Sequence, residues 1–251
     1  MFNNWFTIGG ITIHGYGVMT ALGMLAACWV GERQAKKHGL RSDLIVDIVL
    51  WAVLIGYMGS KLLYVIVEWK TFLQDPWSVL GSSGFVVYGG IITGVLAVYV
   101  FCKRKHLDFR AYFNLLMPAV ALAQGFGRIG CFCAGCCYGR VTTSPLGVEF
   151  PVGSLAPAGV KILPTQLFSS AGDFIIFAVL YWNYNHGKHP EDTGAWYLIL
   201  YSIGRFLVEF LRADERGAVG FLSTSQFLAL FMLAAGLYLL WKHRGKRAEA
   251  V

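Results

Sequence analysis

Residues 112–139 read YFNLLMPAVALAQGFGRIGCFCAGCCYG, an apolar run of membrane length over 112–130 that carries Arg128 near its end and leads directly into Cys131, Cys133, Cys136 and Cys137. A helix needs about 20 mostly apolar residues to cross the hydrocarbon layer. An arginine at that depth costs about 2.5–3.5 kcal/mol at a helix centre on insertion scales, so it points to a functional site. The stretch therefore says two things together: the chain enters a membrane, and chemistry is concentrated where this run leaves it.

The rest of the chain agrees with a membrane reading. Seven apolar stretches can be drawn, at about 14–31, 44–67, 84–102, 112–130, 164–184, 194–212 and 222–241. With 56% apolar and 14% charged residues, the composition excludes an ordinary soluble enzyme. The expected fold is all-α, a polytopic membrane protein of about seven transmembrane helices. No cleavable signal peptide is expected, because Met1-Phe2-Asn3-Asn4 carries no basic segment and the first stretch has no A-x-A-like exit.

Basic residues outside these stretches alternate by loop. Thirteen lie on one side (Arg33, Lys36, Lys37, Arg41, Lys103, Arg104, Lys105, Arg110, Lys188, Lys242, Arg244, Lys246, Arg247) and four on the other (Lys70, Arg140, Lys161, Arg216). The positive-inside rule then places the amino terminus outside and the carboxyl terminus in the cytoplasm. The net charge of +7 sits mostly in short juxtamembrane clusters, whose partner is anionic lipid rather than nucleic acid. Residues 1–251 read as a single integral membrane domain, with an external or interfacial loop at about 131–163.

Four intramembrane charges stand out: Arg128, Arg205, Glu209 and Arg212. Spacings of four and three put Arg205, Glu209 and Arg212 on one helical stripe. A structural ion pair would explain part of this stripe, yet Glu209 can neutralise only one of three arginines. The surplus suits a phosphate, which arginine grips with paired N–H donors. Lys61 lies toward the outer end of the second stretch, where snorkelling to the interface is the plainer account. The cysteines leave several readings open. Four thiols within seven residues do not easily close a tetrahedron around one metal ion, so no metal or cofactor is expected. A disulfide such as Cys133 to Cys136, a thiolate beside arginine, or simple packing each fits the spacing.

The motif resembles G-R-x-G-N-F-x-N-x-E-x-x-G of the prolipoprotein diacylglyceryl transferase family. Further segments follow in the family's order: Ile13-His14-Gly15-Tyr16-Gly17, Gly59-Ser60-Lys61, Val87-Tyr88-Gly89-Gly90, Leu163-Pro164-Thr165-Gln166-Leu167-Phe168, and Tyr201 to Arg212 with Arg205 and Glu209. The resemblance implies a bacterial inner-membrane transferase that moves a diacylglyceryl group from phosphatidylglycerol to the lipobox cysteine of a prolipoprotein, releasing glycerol phosphate. It implies that Arg128 and Arg205 hold the phosphate, with Glu209 orienting Arg205. Tyr16, Lys61, Gly89, Gly90, Gln166 and Arg212 match substrate-binding positions.

The departures concern the acceptor. The family's H-G-G histidine is Tyr88 here, whose side chain, with a reference pKa of about 10, is a poor base near neutrality. The motif's asparagines are Cys131 and Ala134, and its glutamate is Cys136. Cys131 and Cys136 are accordingly the candidate catalytic thiols. A non-catalytic phospholipid-binding protein and a thiol-redox membrane protein are the alternatives.

Overall fold

The computed structural model describes residues 3–82, 84–214 and 217–248; Arg216, counted above among the outer basic residues, lies outside them. Nine α-helices are present among the described residues. They are α1 (Gly15–Lys37), α2 (Ile45–Val67), α3 (Trp69–Gln74), α4 (Pro76–Gly81), α5 (Val87–Arg104), α6 (Phe109–Ala134), α7 (Thr165–His186), α8 (Thr193–Glu209) and α9 (Thr224–Ala248). Three antiparallel two-stranded pairs interrupt the all-α expectation: β1 (Asn4–Ile8) with β2 (Ile11–His14), β3 (Val148–Glu149) with β4 (Lys161–Ile162), and β5 (Ala218–Val219) with β6 (Leu222–Ser223).

Four segments are long and apolar enough to cross a membrane: Ser42–Val67, Val87–Arg104, Phe109–Ala134 and Thr224–Gly245. Large apolar side chains stand exposed along the helices, among them Leu54, Leu62, Ile92, Ile175 and Phe231. Contiguous apolar surface of this kind is stable against lipid and not against water. The molecule is a mostly helical membrane protein.

The chain divides into two compact units, Met1–Val30 with Phe113–Val251, and Gly31–Tyr112. In the second unit α5 lies directly on α2. A Cβ added to Gly89 would collide with the Gly59 carbonyl oxygen, so only glycine permits this approach. Thr93 donates its hydroxyl across the same seam to the Ile55 carbonyl at 3.1 Å.

In the first unit the core runs between α1 and α6 through Ala27, Val30 and Ala119, and among α6, α7 and α8 through Ala121, Leu180 and Tyr197. Pro118 sits inside α6. One turn earlier the buried Asn114 side chain accepts the Gly194 N–H at 2.7 Å, satisfying one of the donors that α8 leaves unpaired at its start. The segment after α6 has a small core of its own, Phe150, Ala156 and Ile162, with Phe132 packed edge-on against Phe150 at 5.3 Å. Its backbone is held on both sides: Gly139 donates to Leu163, and Arg140 donates to Leu211, each at 3.0 Å.

Candidate active site

Helix α6 outlasts the sequence expectation of a loop opening at 131. It continues to Ala134, so Cys131 and Cys133 belong to its last turn. Gly135 then stops it. Its φ of +75° is the left-handed conformation that a side chain would strain. Gly135 N–H bonds back to Phe132 and Cys136 N–H to Cys131, at 3.2 and 3.1 Å. These two bonds are the Schellman end of a helix, and they fold the chain back over the turn it has just left. Cys137 is also left-handed, at φ +63°, a conformation that costs a non-glycine residue about 1–2 kcal/mol. Two side chains from the start of α7 hold the reversal: Gln166 donates to the Cys136 carbonyl at 2.7 Å and Thr165 to the Cys137 carbonyl at 2.8 Å.

The consequence is a convergence that spacing does not reveal. The sulfur atoms of Cys131, Cys136 and Cys137 all lie within 4.8 Å of one another, and Cys133 is not among them. The disulfide considered between Cys133 and Cys136 is not formed, since all six cysteines carry thiols. Hydrogen bonds from Cys131 and Cys136, with the guanidinium groups of Arg212 and Arg128, hold the Cys137 thiol well below the usual thiol range. The same cluster pushes the Cys136 thiol up, because one negative sulfur disfavours a second beside it. Tyr16 packs on this turn: a Cβ at Gly130 would lie 3.2 Å from its ring.

The arginines differ in what neutralises them. Arg205 meets Glu209 at 2.9 Å, with side chains 13% and 7% exposed, and donates to Ser225 at 2.8 Å. Its other terminal nitrogen, Nη1, is buried with no hydrogen-bond partner. Arg212 lies beyond the end of α8 rather than on its stripe, and there it pairs in fork fashion with Asp214, at 3.0 Å from Nε and 2.9 Å from Nη2. That pairing leaves Glu209 as a distant neighbour of Arg212, at 4.0 Å. Arg128 is half-buried, with Tyr201, Cys131, Cys137 and Asp173 as its electrostatic neighbours. Among the described residues no hydrogen bond or ion pair reaches its guanidinium group.

Sequence reading passes over Asp173. It is 4% exposed, faces Arg128 and Arg205 electrostatically, and has a buried Oδ2 without a hydrogen-bond partner. It lies seven residues after Gln166, on the buried face of α7 that also carries Thr165 and Ser170. The signal is present in the chain, because a carboxylate within an apolar stretch is as costly as an arginine. Gln166, 1% exposed, likewise leaves its Oε1 unpartnered.

Lys61, Tyr88, Gly89 and Gly90 belong to the other unit. Lys61 does not simply extend to the interface. Its ammonium donates to the Ser82 and Gly84 carbonyls at 2.8 and 3.3 Å and sits over the Tyr64 and Phe85 rings. Gly89 and Gly90 serve the packing of α5 on α2.

Comparison with known proteins bears on the whole chain. The family model for prolipoprotein diacylglyceryl transferase matches residues 3–242. The chain is 45% identical over 244 residues to phosphatidylglycerol–prolipoprotein diacylglyceryl transferase 2 of Clostridium perfringens, covering 96% of this chain and 95% of that one. It is 44% identical over 235 residues to the corresponding transferase of Clostridium tetani (93% and 94% covered). Against that of Finegoldia magna it is 36% identical over 242 residues (95% and 94% covered).

Proposed function

The chain belongs to the prolipoprotein diacylglyceryl transferase family, and from that premise we propose how its own residues carry out the reaction. It is a membrane-embedded enzyme that transfers a diacylglyceryl group from phosphatidylglycerol to a thiol acceptor, the lipobox cysteine of a prolipoprotein. The acceptor sulfur attacks the diacylglyceryl carbon. A C–S bond forms, the C–O bond to phosphate breaks, and glycerol phosphate departs with the electron pair.

The observation that carries the assignment of roles is the unpartnered guanidinium of Arg128 together with the unpartnered Nη1 of Arg205. A guanidinium donor held inside the protein without a hydrogen-bond acceptor is costly unless a ligand provides one. Phosphate oxygens suit these donors, and charge growing on the leaving oxygen strengthens the contact in the transition state. Glu209 fixes the Arg205 fork. Arg212, tied to Asp214, keeps positive charge beside Cys137. The orphaned oxygens of Gln166 and Asp173 accept from hydroxyl groups of the glycerol headgroup, and Tyr16 borders the same turn. Cys131 and Cys136 take part in generating the acceptor thiolate, a task for which Tyr88 is unsuited. The family resemblance assigns Lys61, Gly89 and Gly90 supporting roles in lipid binding.

For placement, we assign one integral domain of seven spans in the bacterial inner membrane, with the amino terminus and the 135–164 segment outside and the carboxyl terminus in the cytoplasm. The basic-residue bias supports this orientation. In a background lacking native cysteines, an impermeant maleimide applied to intact cells is expected to label Ser154→Cys and spare Lys37→Cys; the opposite pattern reverses the topology. The reaction itself is tested by incubating purified protein with labelled phosphatidylglycerol and a lipobox peptide. A peptide heavier by one diacylglyceryl group together with free glycerol phosphate is expected. Bound phospholipid with neither product would leave a binding protein instead.

A further inference from the structure

The three converging sulfurs of Cys131, Cys136 and Cys137 have a geometry that the transferase assignment does not use. A metal ion with Zn–S bonds of about 2.3 Å holds three thiolates about 4 Å apart. Sulfurs already within 4.8 Å of one another need little movement to reach that spacing. Along the chain, four cysteines in seven residues look too close to surround an ion. The Schellman reversal at Gly135 changes this by bringing three of them to one side as a trigonal face, which leaves a coordination position over.

The donor set and its surroundings narrow the ion. Among the described residues the cluster contains sulfur alone, with no carboxylate or imidazole, which disfavours magnesium and calcium and favours a soft ion. A dication bound by three thiolates carries a charge of −1, and by four −2. Arg128 and Arg212 both act electrostatically on Cys137, so the anionic complex would form where positive charge is already in place. The reaction, meanwhile, needs an acceptor thiol to lose its proton, and Tyr88 stands where a base is expected.

We propose that Cys131, Cys136 and Cys137 bind one zinc ion, and that its remaining position takes the acceptor cysteine as a thiolate ready to attack the phospholipid. All three sulfurs bind zinc as thiolates, any proton still on them passing to solvent, and coordination of the acceptor thiol releases one more, because a coordinated thiol is deprotonated outright. The bound sulfur then attacks the diacylglyceryl carbon and the C–O bond to phosphate breaks. Its thioether product is a poor zinc ligand and leaves the ion. No oxidant or reductant is required. The second half of this inference rests on the transferase reading, whereas the metal site does not.

The test uses purified full-length protein, reduced, stripped with a chelator and kept in detergent. Zinc titrated in competition with a chromophoric chelator is expected to bind at one ion per chain. Cys131→Ser, Cys136→Ser and Cys137→Ser should each weaken binding at least about tenfold, the scale on which even outer-shell changes act. Cys133→Ser should leave it unchanged. With cobalt as a spectroscopic substitute, a sulfur-to-metal absorption band should appear and grow by about one third when a lipobox peptide is added. A peptide with serine in place of its cysteine should not change it. The wild-type difference spectrum needs no variant, so misfolding of a serine mutant does not block the test. Absence of stoichiometric zinc, or equal loss in Cys133→Ser, overturns the site; a band unchanged by the thiol peptide overturns acceptor activation. None of these readouts needs turnover, so their failure leaves the transferase reading standing.

Discussion

The two ends of α8 both hold charged side chains in the protein and treat them in opposite ways. Just before its first turn, Asp192 bonds His243 Nδ1 at 2.7 Å and Arg247 at 3.0 Å, while Glu191 takes a second nitrogen of Arg247 at 2.8 Å. Both carboxylates there have cations, and Arg247 and His243 each meet a carboxylate. At the other end Arg205 and Arg212 are matched by Glu209 and Asp214, but Arg205 Nη1 and Asp173 Oδ2 are buried without partners. Arg128 stands near them with no hydrogen bond or ion pair to its guanidinium among the described residues. Charges that satisfy one another fasten helices together, and removing one partner leaves the other uncompensated. Charges left unsatisfied raise the free energy of the empty protein and lower that of a complex which supplies the missing groups. The first end is mortar between α8 and α9; the second has the unpartnered donors of the phosphate site proposed above.

The comparison fails if substitutions at the two ends have the same phenotype. The largest effect is expected from Arg128→Ala. Loss of a charge-assisted bond to phosphate is worth about 1.5–3 kcal/mol, so transfer to a lipobox peptide should fall at least about tenfold with thermal stability near wild type. Next comes Asp192→Ala, expected to lower unfolding stability by about 1–3 kcal/mol in denaturant titrations while turnover at a permissive temperature stays within about twofold. If it instead abolished transfer in a folded protein, the ends of α8 would not be separable.

Asp173→Asn sharpens the contrast within the site. It keeps shape and removes charge opposite Arg128, and a drop of about fivefold in turnover, the scale of one ordinary hydrogen bond, is expected with little change in melting. A rise in stability without loss of transfer would mark the carboxylate as mere frustration. The smallest effect is expected for Lys61→Ala, whose ammonium is committed to the Ser82 and Gly84 carbonyls. Phospholipid binding should change by less than about threefold, because the ammonium already has protein acceptors. An effect equal to that of Arg128→Ala would count against the phosphate assignment.

Sequence by itself determined the solvent and the outline. Whether a segment enters lipid depends on its own composition, because each backbone group of a spanning helix bonds within that helix. The apolar stretches are therefore legible one at a time, and four segments of the structure are long and apolar enough to cross a membrane. The position of Arg128 in such a run, the pairing of Arg205 with Glu209 at a spacing of four, and the family motifs are equally local. The helix end at Gly135 is legible too, as a glycine closing a run, though the sequence expectation places it four residues early. What only the tertiary structure decided is which charge lacks a partner and which sulfurs meet. Asp173 faces Arg128 from a separate helix. Cys136 and Cys137 return over Cys131 because Gln166 and Thr165, some 30 residues on, hold their carbonyls. Periodicity records the neighbours of a residue along one helix; electrostatic and coordination partners are set by distance in space, which long-range packing fixes.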